Sequence, residues 1–317
     1  MSERAKERKS ERVTWSLFRS FALSLFMLKA LLQLTRPANL ITAVADVLAG
    51  AAIAGYLSWP EATFGPLIWL CISTVGLYGG GVVFNDVFDA DLDAVERPER
   101  PIPSGRVSVN RASTFGSILL LIGILTAWRV NPVAGWLAVA IAVFALVYDK
   151  FGKHHAFFGP LNMGLCRGLN LLLGVSILPA QVQPWAWVAL VPIVYIAAIT
   201  MISRGEVHGG GSGTLRLAGL LYGAVIAVIA AIAQQREQLG TAFPFLLVFG
   251  IFIFPPLWRA VREPTGPNIG MAVKSGVLSL IVMNAVWVAA FASFPLAMLV
   301  VCLLPLSRLL AKAFAVT

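Results

Sequence analysis

Long apolar runs alternate with short polar gaps along nearly the whole chain. Each run has roughly 17–25 residues, the length that an α-helix needs to cross a membrane. The longest gap, residues 85–111, is too short for a soluble domain. The pattern therefore predicts an all-α, polytopic membrane bundle of about nine helices, or ten if the last run also spans. The runs lie at about 38–57, 64–84, 112–128, 132–148, 159–179, 184–202, 215–233, 243–261, 270–291 and 294–312.

The composition excludes the main alternatives to a membrane protein. Hydrophobic residues make up 58% of the 317 residues and charged residues only 12%, whereas roughly a quarter of the residues in a soluble domain are charged. One soluble core could not bury so much apolar surface, and a disordered chain would carry far more charge.

The basic residues are distributed very unequally between the two sides of the predicted bundle. Of the 24, only Arg129 and Arg236 lie in gaps on one side, and Arg167 lies inside a run; the other 21 lie on the side of the N-terminus. Because lysine and arginine concentrate on the cytoplasmic side of membrane proteins, we expect that side to be cytoplasmic. The net charge of +9 then faces anionic lipid headgroups rather than nucleic acid. In a bacterium this membrane would be the inner membrane.

The first 34 residues form a separate predicted region. Residues 1–34 are basic, and their apolar part, 21–34, is interrupted by Lys29 and followed by no small-residue cleavage site. An interfacial amphipathic helix is therefore favoured over a removable signal peptide. Residues 35–317 are predicted to form a single transmembrane domain.

A group of carboxylates directly follows the second apolar run. If the helix continues, Asp86, Asp89 and Asp93 lie on one face, with Asn85 one turn before Asp89 and with Asp91 pointing elsewhere. Oxygen ligands of this kind suit Mg²⁺ bridged to a diphosphate. The alternative is an ordinary solvated acidic helix end, but juxtamembrane carboxylates usually have a function.

A stiff basic segment follows the carboxylates. Residues 97–106 contain three prolines, which exclude a helix, and present Arg97, Arg100 and Arg106. Guanidinium groups suit phosphate oxygens. The alternative is a loop that contacts lipid headgroups.

These two motifs carry a resemblance to a known family. The order Asn-Asp-x-x-Asp-x-x-x-Asp at 85–93, then Arg-Pro-x-Arg-Pro-Ile-Pro-Ser-Gly-Arg at 97–106, resembles the UbiA family of intramembrane prenyltransferases. Thr-Arg-Pro-Ala-Asn at 35–39 and Tyr-Asp-Lys at 148–150 resemble two further elements, and the likeness extends over about 35–290. The resemblance implies a bundle of about nine helices. It also implies Mg²⁺-dependent transfer of an isoprenyl group from an isoprenyl diphosphate to an aromatic or related small acceptor, on the cytoplasmic side.

The resemblance also implies roles for individual residues. Asn85, Asp86, Asp89, Asp93 and Glu206 are expected to hold Mg²⁺, and Tyr148 and Lys150 to act with the aspartates and Glu206 in catalysis. Arg36 could instead be a snorkelling anchor, and Tyr148 an interfacial aromatic residue. The residues expected to bind substrate are Arg36, Asn39, Asn85, Arg97, Arg100, Arg106, Lys153, Asn162, Arg167 and Arg204.

The second acidic element of the family is altered in this chain. The segment after the sixth run has Glu206 as its only acid, flanked by Arg204 and His208. Glu206 could hold a second Mg²⁺, or Arg204 could bind the diphosphate instead. This variant resembles a UbiA-like branch called EboC. It also leaves open a non-catalytic membrane carrier or binding protein.

Polar residues inside two runs predict contacts within the bundle. Asp46 either faces the acceptor or pairs with Arg167, and pairing is favoured because a lone intramembrane charge is costly. Asn162 and Arg167 either join helices by hydrogen bonds or line the cavity. Gly164 and Gly168 form a small-residue face that permits close helix packing.

Overall fold

The computed structural model describes residues 26–152, 155, 157–206 and 211–314, and helices dominate these ranges. Short 3₁₀ segments join some helices, and a π-helical turn, Tyr148–Gly152, follows α6. The first helix, α1, is described over Phe26–Leu34. The others are α2 (Pro37–Ile53), α3 (Phe64–Phe88), α4 (Ala90–Glu96), α5 (Val109–Val130), α6 (Pro132–Val147), α7 (Phe158–Val175), α8 (Val182–Trp185), α9 (Leu190–Ser203), α10 (Ser212–Gln235), α11 (Leu239–Arg262), α12 (Gly266–Phe291), α13 (Phe294–Val301) and α14 (Leu303–Phe314).

Among the described residues, eight helical segments are long and apolar enough to cross a membrane, and nine if the bent pair α1–α2 is one span. The segment Phe294–Phe314, which joins α13 and α14, is one of the eight. Helix α7 forms as expected, but Asn162, Arg167 and Asn170 lower its hydropathy, and it is not among the candidates. The predicted all-α polytopic bundle is confirmed.

The chain bends by 50° between α1 and α2. Arg36 lies at this bend in the left-handed region, with φ 48°, which few residues other than glycine adopt. Pro37 then occupies the first turn of α2, where its missing N–H costs no helical hydrogen bond. The bend places Arg36 at the start of a buried helix. Most of the predicted N-terminal region, residues 1–25, lies outside the described residues.

Small residues bring the central helices close together. A Cβ atom added to Gly164 would lie 2.6 Å from the backbone oxygen of Ile193, and one on Gly168 would lie 2.9 Å from that of Ala189. Both distances are far below van der Waals contact, so α7 and α9 pack closely only because these positions are glycine. The predicted small-residue face of α7 is therefore confirmed.

Candidate active site

Two buried aspartates and two arginines form the ionic centre of the site. The carboxylate of Asp86, near the end of α3, accepts from Arg36 Nη2 at 2.7 Å and lies 3.4 Å from Arg100 Nη1. Asp93, in α4, accepts from Arg100 Nη1 at 2.5 Å. Asp86 and Asp93 are only 6% and 4% exposed. We call these four residues the outer ionic cluster.

The predicted facing of the carboxylates is confirmed, although the helix is not continuous. Helix α3 ends at Phe88 and α4 begins at Ala90. The i to i−4 hydrogen-bond pattern nevertheless continues through Asp89, whose N–H donates to Asn85 O at 3.0 Å. Asp89 is partly buried, whereas Asp91 is exposed.

The proline-containing segment forms turns over the outer ionic cluster. Arg106 donates to the Glu99 carbonyl at 2.6 Å and to Gln33 Oε1 at 2.9 Å. It lines neither of the two cavities described below, although it was expected to bind phosphate. Since its donors are used to join the segment to α1, Arg106 holds the position of Arg97 and Arg100.

A polar cavity of about 500 Å³ borders the outer ionic cluster. Arg36, Asn39, Arg97 and Arg100 line it, all of them residues that the sequence assigns to substrate binding. Helix α14 supplies an apolar wall that was not anticipated, which consists of Leu310, Ala311 and Phe314. We call this space the outer cavity.

A second cavity of about 310 Å³ extends into the bundle, and we call it the inner cavity. Arg36 and Asn39 line both cavities, so the two spaces adjoin at the start of α2. Beyond this polar junction most lining residues are apolar. These are Leu77, Gly81, Val82, Ile141, Ala145, Met163, Ile196, Ile199, Val277 and Leu280.

Asp149 is a residue of this junction that sequence reasoning did not assign to the site. It is buried, lines the inner cavity and accepts from Asn85 Nδ2 at 2.9 Å. Its position between Tyr148 and Lys150, in a motif that resembles the family's, could have identified it as a site residue. Tyr78, also missed, lines the same cavity, with its ring 5.5 Å from the Arg167 guanidinium. An isolated tyrosine in an apolar run gives no such signal.

The segment around Tyr148 separates residues that the sequence grouped together. Tyr148 lines the inner cavity. The Lys150 side chain is exposed, with its ammonium group 5.3 Å from the Phe151 ring, and it lines neither cavity. Asn162, in its satisfied amide orientation, contacts Phe144 O at 3.1 Å and Tyr148 N at 3.3 Å. Asn162 therefore joins α7 to the π-turn and does not line either cavity, and the predicted Lys153 lies outside the described residues.

The expected intramembrane ion pair is confirmed. Arg167 Nη1 donates to Asp46 Oδ2 at 2.7 Å, and both residues are buried. Asn170 and Asn284 donate to the same carboxylate at 3.0 and 2.7 Å, while Arg167 also donates to Thr42. This inner polar network links α2, α7 and α12. Arg167 and Asn170 also line the inner cavity, so Arg167 combines the two roles that the sequence left open.

The second acidic element lies beside the proline segment. Glu206 is half-buried, and burial raises the pKa of its carboxyl above the ordinary value while the nearby Arg97 guanidinium opposes the shift. Arg204 is exposed and donates to the His155 carbonyl. Neither residue lines the outer or the inner cavity. Arg204 thus stabilises a contact between two loops, and Glu206 lies near an arginine of the outer cavity.

The donor set fits Mg²⁺ by its chemistry. Asp86, Asp89, Asp93 and Asn85 offer only oxygen ligands, and Mg²⁺ commonly binds one or two carboxylates together with substrate phosphates. Within the described ranges, no three acidic, histidine or cysteine side chains are already grouped to hold a metal ion. The carboxylates of Asp86 and Asp93 instead contact arginines.

Comparisons with known proteins identify the family to which the sequence is similar. A sequence model of the UbiA prenyltransferase family matches residues 41–208, slightly more than half of the chain. A digeranylgeranylglyceryl phosphate synthase from Ignicoccus hospitalis is 31% identical over 227 residues, which cover 68% of this chain and 72% of that protein. The synthase of the same name from Saccharolobus solfataricus is 32% identical over 176 residues, 55% of this chain and 60% of that protein. These two relatives are digeranylgeranylglyceryl phosphate synthases and not EboC proteins, so they do not support the EboC branch expected from the sequence.

Solved structures share the fold. A structure from work on digeranylgeranylglyceryl phosphate synthase in membranes has a TM-score of 0.62 at 21% identity, covering 85% of this chain and 99% of that chain. A UbiA homologue from Archaeoglobus fulgidus bound to GPP and Mg²⁺ has a TM-score of 0.58 at 18% identity, covering 79% of this chain and 99% of that chain.

Proposed function

Because this chain is a member of the UbiA prenyltransferase family, we propose that it transfers an isoprenyl group from an isoprenyl diphosphate to a glyceryl phosphate acceptor in the membrane. The product named for its relatives is a glyceryl phosphate that carries two geranylgeranyl groups. The sequence predicted an aromatic or related acceptor, and the acceptor that we propose is a prenylated glyceryl phosphate rather than an aromatic molecule. Membership of a prenyltransferase family favours an enzyme over a non-catalytic carrier.

The observation that carries this proposal is the junction of the two cavities. An isoprenyl diphosphate has a highly charged head and an apolar tail, and the two cavities differ in the same way. Arg36 and Asn39 line both cavities. A donor whose diphosphate lies in the outer cavity and whose tail lies in the inner cavity would have its reactive carbon at this junction.

The arginines of the outer cavity would bind the diphosphate. Arg36, Arg97 and Arg100 line this cavity, and guanidinium groups form strong, directional hydrogen bonds with phosphate oxygens. Arg100 is held over the site by the turn in which Ser104 N donates to its carbonyl at 3.0 Å. These donors stabilise the charge that develops on the leaving diphosphate.

Asp86, Asp89, Asp93 and Asn85 would hold Mg²⁺, with Glu206 as a further candidate. When bound, the ion neutralises charge on the departing diphosphate and so favours ionisation. Arg97 lies close enough to Glu206 to affect its titration, so the second acidic element borders the same phosphate-binding region.

The inner cavity would protect the reacting carbon from water. Its apolar walls exclude competing hydrolysis and hold the isoprenyl chain. The carbon–oxygen bond to the diphosphate breaks with its electron pair on the diphosphate, and the acceptor hydroxyl oxygen bonds to the released carbon. Asp149 lies at the junction beside Asn85, and we assign it as the acceptor of the hydroxyl proton.

The reaction would take place on the cytoplasmic side. The start of α2 and the ends of α3 and α6 all contribute to the junction, and these ends lie on the side that carries 21 of the 24 basic residues. The positive-inside rule supports this orientation.

The proposal is tested with purified protein in lipid nanodiscs. Radiolabelled geranylgeranyl diphosphate is supplied with geranylgeranylglyceryl phosphate or with 4-hydroxybenzoate, each with and without Mg²⁺, and products are identified by mass spectrometry. We expect Mg²⁺-dependent diphosphate release and a doubly prenylated glyceryl phosphate. A product with the aromatic acceptor alone would refute the proposed acceptor, and donor binding without diphosphate release would indicate a carrier.

A further inference from the structure

The outer ionic cluster pairs each buried carboxylate with an arginine. Arg100 Nη1 lies 2.5 Å from Asp93 and 3.4 Å from Asp86, while Arg36 contacts Asp86 at 2.7 Å. Two positive and two negative charges thus form a neutral group. The Arg100 side chain is 15% exposed and that of Arg36 is 40% exposed. These two carboxylates are among the expected Mg²⁺ ligands, and one oxygen of each already contacts an arginine.

A divalent cation on its own would enter this group at a high cost. It would approach two guanidinium groups of like charge, and it would compete with the arginines for the negative charge of any carboxylate that it took. Breaking a buried pair by removing one member is strongly destabilising. A diphosphate changes this balance, because its negatively charged oxygens can replace the carboxylates as partners of the arginines.

The backbone independently indicates that one of these arginines is held under strain. Arg36 has φ 48° and ψ 67°, and left-handed geometry at a residue other than glycine is concentrated at functional sites. The bend that imposes this geometry also brings the guanidinium to Asp86. Arg36 borders both cavities, so the strained residue lies where a diphosphate would arrive.

We propose that Arg100, assisted by Arg36, makes Mg²⁺ binding depend on diphosphate. In the free protein the arginines neutralise Asp86 and Asp93. When diphosphate enters, the arginines transfer to its oxygens and the aspartates become available as metal ligands. This inference rests on the proposed function, since it requires that the outer cavity accept a diphosphate. Coupling between the two ligands is reciprocal, so Mg²⁺ must strengthen diphosphate binding by the same factor.

The test measures binding without an acceptor or turnover. Mg²⁺ is titrated calorimetrically into the full-length protein in nanodiscs, with and without saturating inorganic diphosphate, at matched free Mg²⁺ concentrations. For the unmodified protein we expect diphosphate to lower the Mg²⁺ dissociation constant by at least about tenfold, within the usual range of coupling between sites.

The decisive variant is Arg100→Gln. It frees Asp93 and removes one of the two arginines beside Asp86, so Mg²⁺ alone should bind at least about tenfold more tightly than in the unmodified protein. Diphosphate should strengthen that binding by a smaller factor than in the unmodified protein, because only the direct contact between the ion and the phosphates remains. Adding Asp93→Asn to this variant should abolish the gain. Arg111→Gln, an equal charge change at an exposed position near the same end of the bundle, is the matched control and should bind Mg²⁺ as the unmodified protein does.

A second variant covers the case in which Arg100→Gln does not fold. Arg36→Gln leaves Asp86 beside Arg100 and should strengthen the binding of Mg²⁺ alone by a smaller factor, about threefold. For both variants, Mg²⁺ alone should raise the thermal unfolding temperature, which it should not do for the unmodified protein.

The opposite results overturn the inference. The inference is contradicted if Mg²⁺ alone binds tightly to the unmodified protein, or if the arginine variants bind Mg²⁺ no more tightly than the unmodified protein. In either case, diphosphate binding and turnover by the unmodified protein would still support the proposed function. Failure of the unmodified protein to bind diphosphate at all would overturn both.

Discussion

The inner polar network and the outer ionic cluster both consist of aspartates paired with arginines, but their surroundings differ. Asp46 is 1% exposed, and its carboxylate is bound by Arg167, Asn170 and Asn284, which lie on two other helices. Asp86 also contacts arginines, but those arginines line a cavity of about 500 Å³. The comparison teaches that enclosure decides the role of the pair. Asp46 lines neither cavity, although Arg167 borders the inner one, and this enclosed carboxylate joins helices. Asp86 itself lines the outer cavity and can therefore exchange its partners for a ligand.

The largest expected effect concerns the enclosed pair. Arg167→Met leaves the Asp46 carboxylate buried without a counter-charge, so we expect the free energy of unfolding to fall by about 3–5 kcal/mol. Unfolding in mixed detergent micelles, followed by circular dichroism, measures the change. The double variant Asp46→Leu/Arg167→Met removes both charges and should regain much of the loss. Equal destabilisation of the single and double variants would show that the ion pair is not what holds the network.

The Asp86 ion pairs beside the outer cavity should behave in the opposite way. Asp86→Asn keeps the shape of the side chain and removes its charge, and we expect kcat for diphosphate release to fall by about 100- to 1000-fold, as when a group that stabilises transition-state charge is lost. Its unfolding free energy should change less than that of Arg167→Met. A stability loss as large as that of Arg167→Met with intact turnover would reverse the roles assigned to the two groups.

A smaller effect is expected at the edge of the outer cavity. Glu206→Gln removes a half-buried carboxylate near Arg97, and we expect turnover to fall by about threefold to tenfold. This loss is smaller than the loss expected when a group that directly stabilises transition-state charge is removed. Initial rates at saturating donor measure it. Glu99→Gln removes an exposed carboxylate that lines the outer cavity, which Glu206 does not, and it is a comparison for the charge change alone. Unchanged kinetics for Glu206→Gln would remove this residue from the site.

The smallest effect is expected at Asp91. This residue belongs to the same acidic segment but is exposed, so Asp91→Asn should change stability by less than about 0.5 kcal/mol and leave the rate within twofold. Parallel measurement with Asp86→Asn and Asp93→Asn checks the helical facing. Equal losses at the three positions would show that the carboxylates do not act from one face.

The sequence predicted the parts of the fold and site that depend on local pattern. Apolar runs identified the helices, the i, i+3, i+7 spacing predicted that Asp86 and Asp93 share a face, and the cost of a lone charge favoured the Asp46–Arg167 pair. Lys150 shows where local pattern fails. It follows Tyr148 in a family-like motif, yet a π-turn directs it away from the cavities.

Other features depend on contacts between distant segments. The apolar wall from α14 is separated from Arg36 by more than 260 residues of sequence, although Ser307 in α14 donates to the Ala38 carbonyl at 2.8 Å. The role of Arg106 likewise depends on its contact with Gln33 in α1. Neither contact leaves a periodic or compositional signal in the chain.

The central claim is that the diphosphate of the donor binds at the outer ionic cluster with its isoprenyl tail in the inner cavity. A structure determined by cryo-electron microscopy with geranylgeranyl thiodiphosphate and Mg²⁺ tests it most directly. We predict density for the diphosphate among Arg36, Arg97 and Arg100, and density for the tail along Leu77 and Ile199. Density for the diphosphate at any other place, with Asp86 and Asp93 still paired with their arginines, would contradict the account.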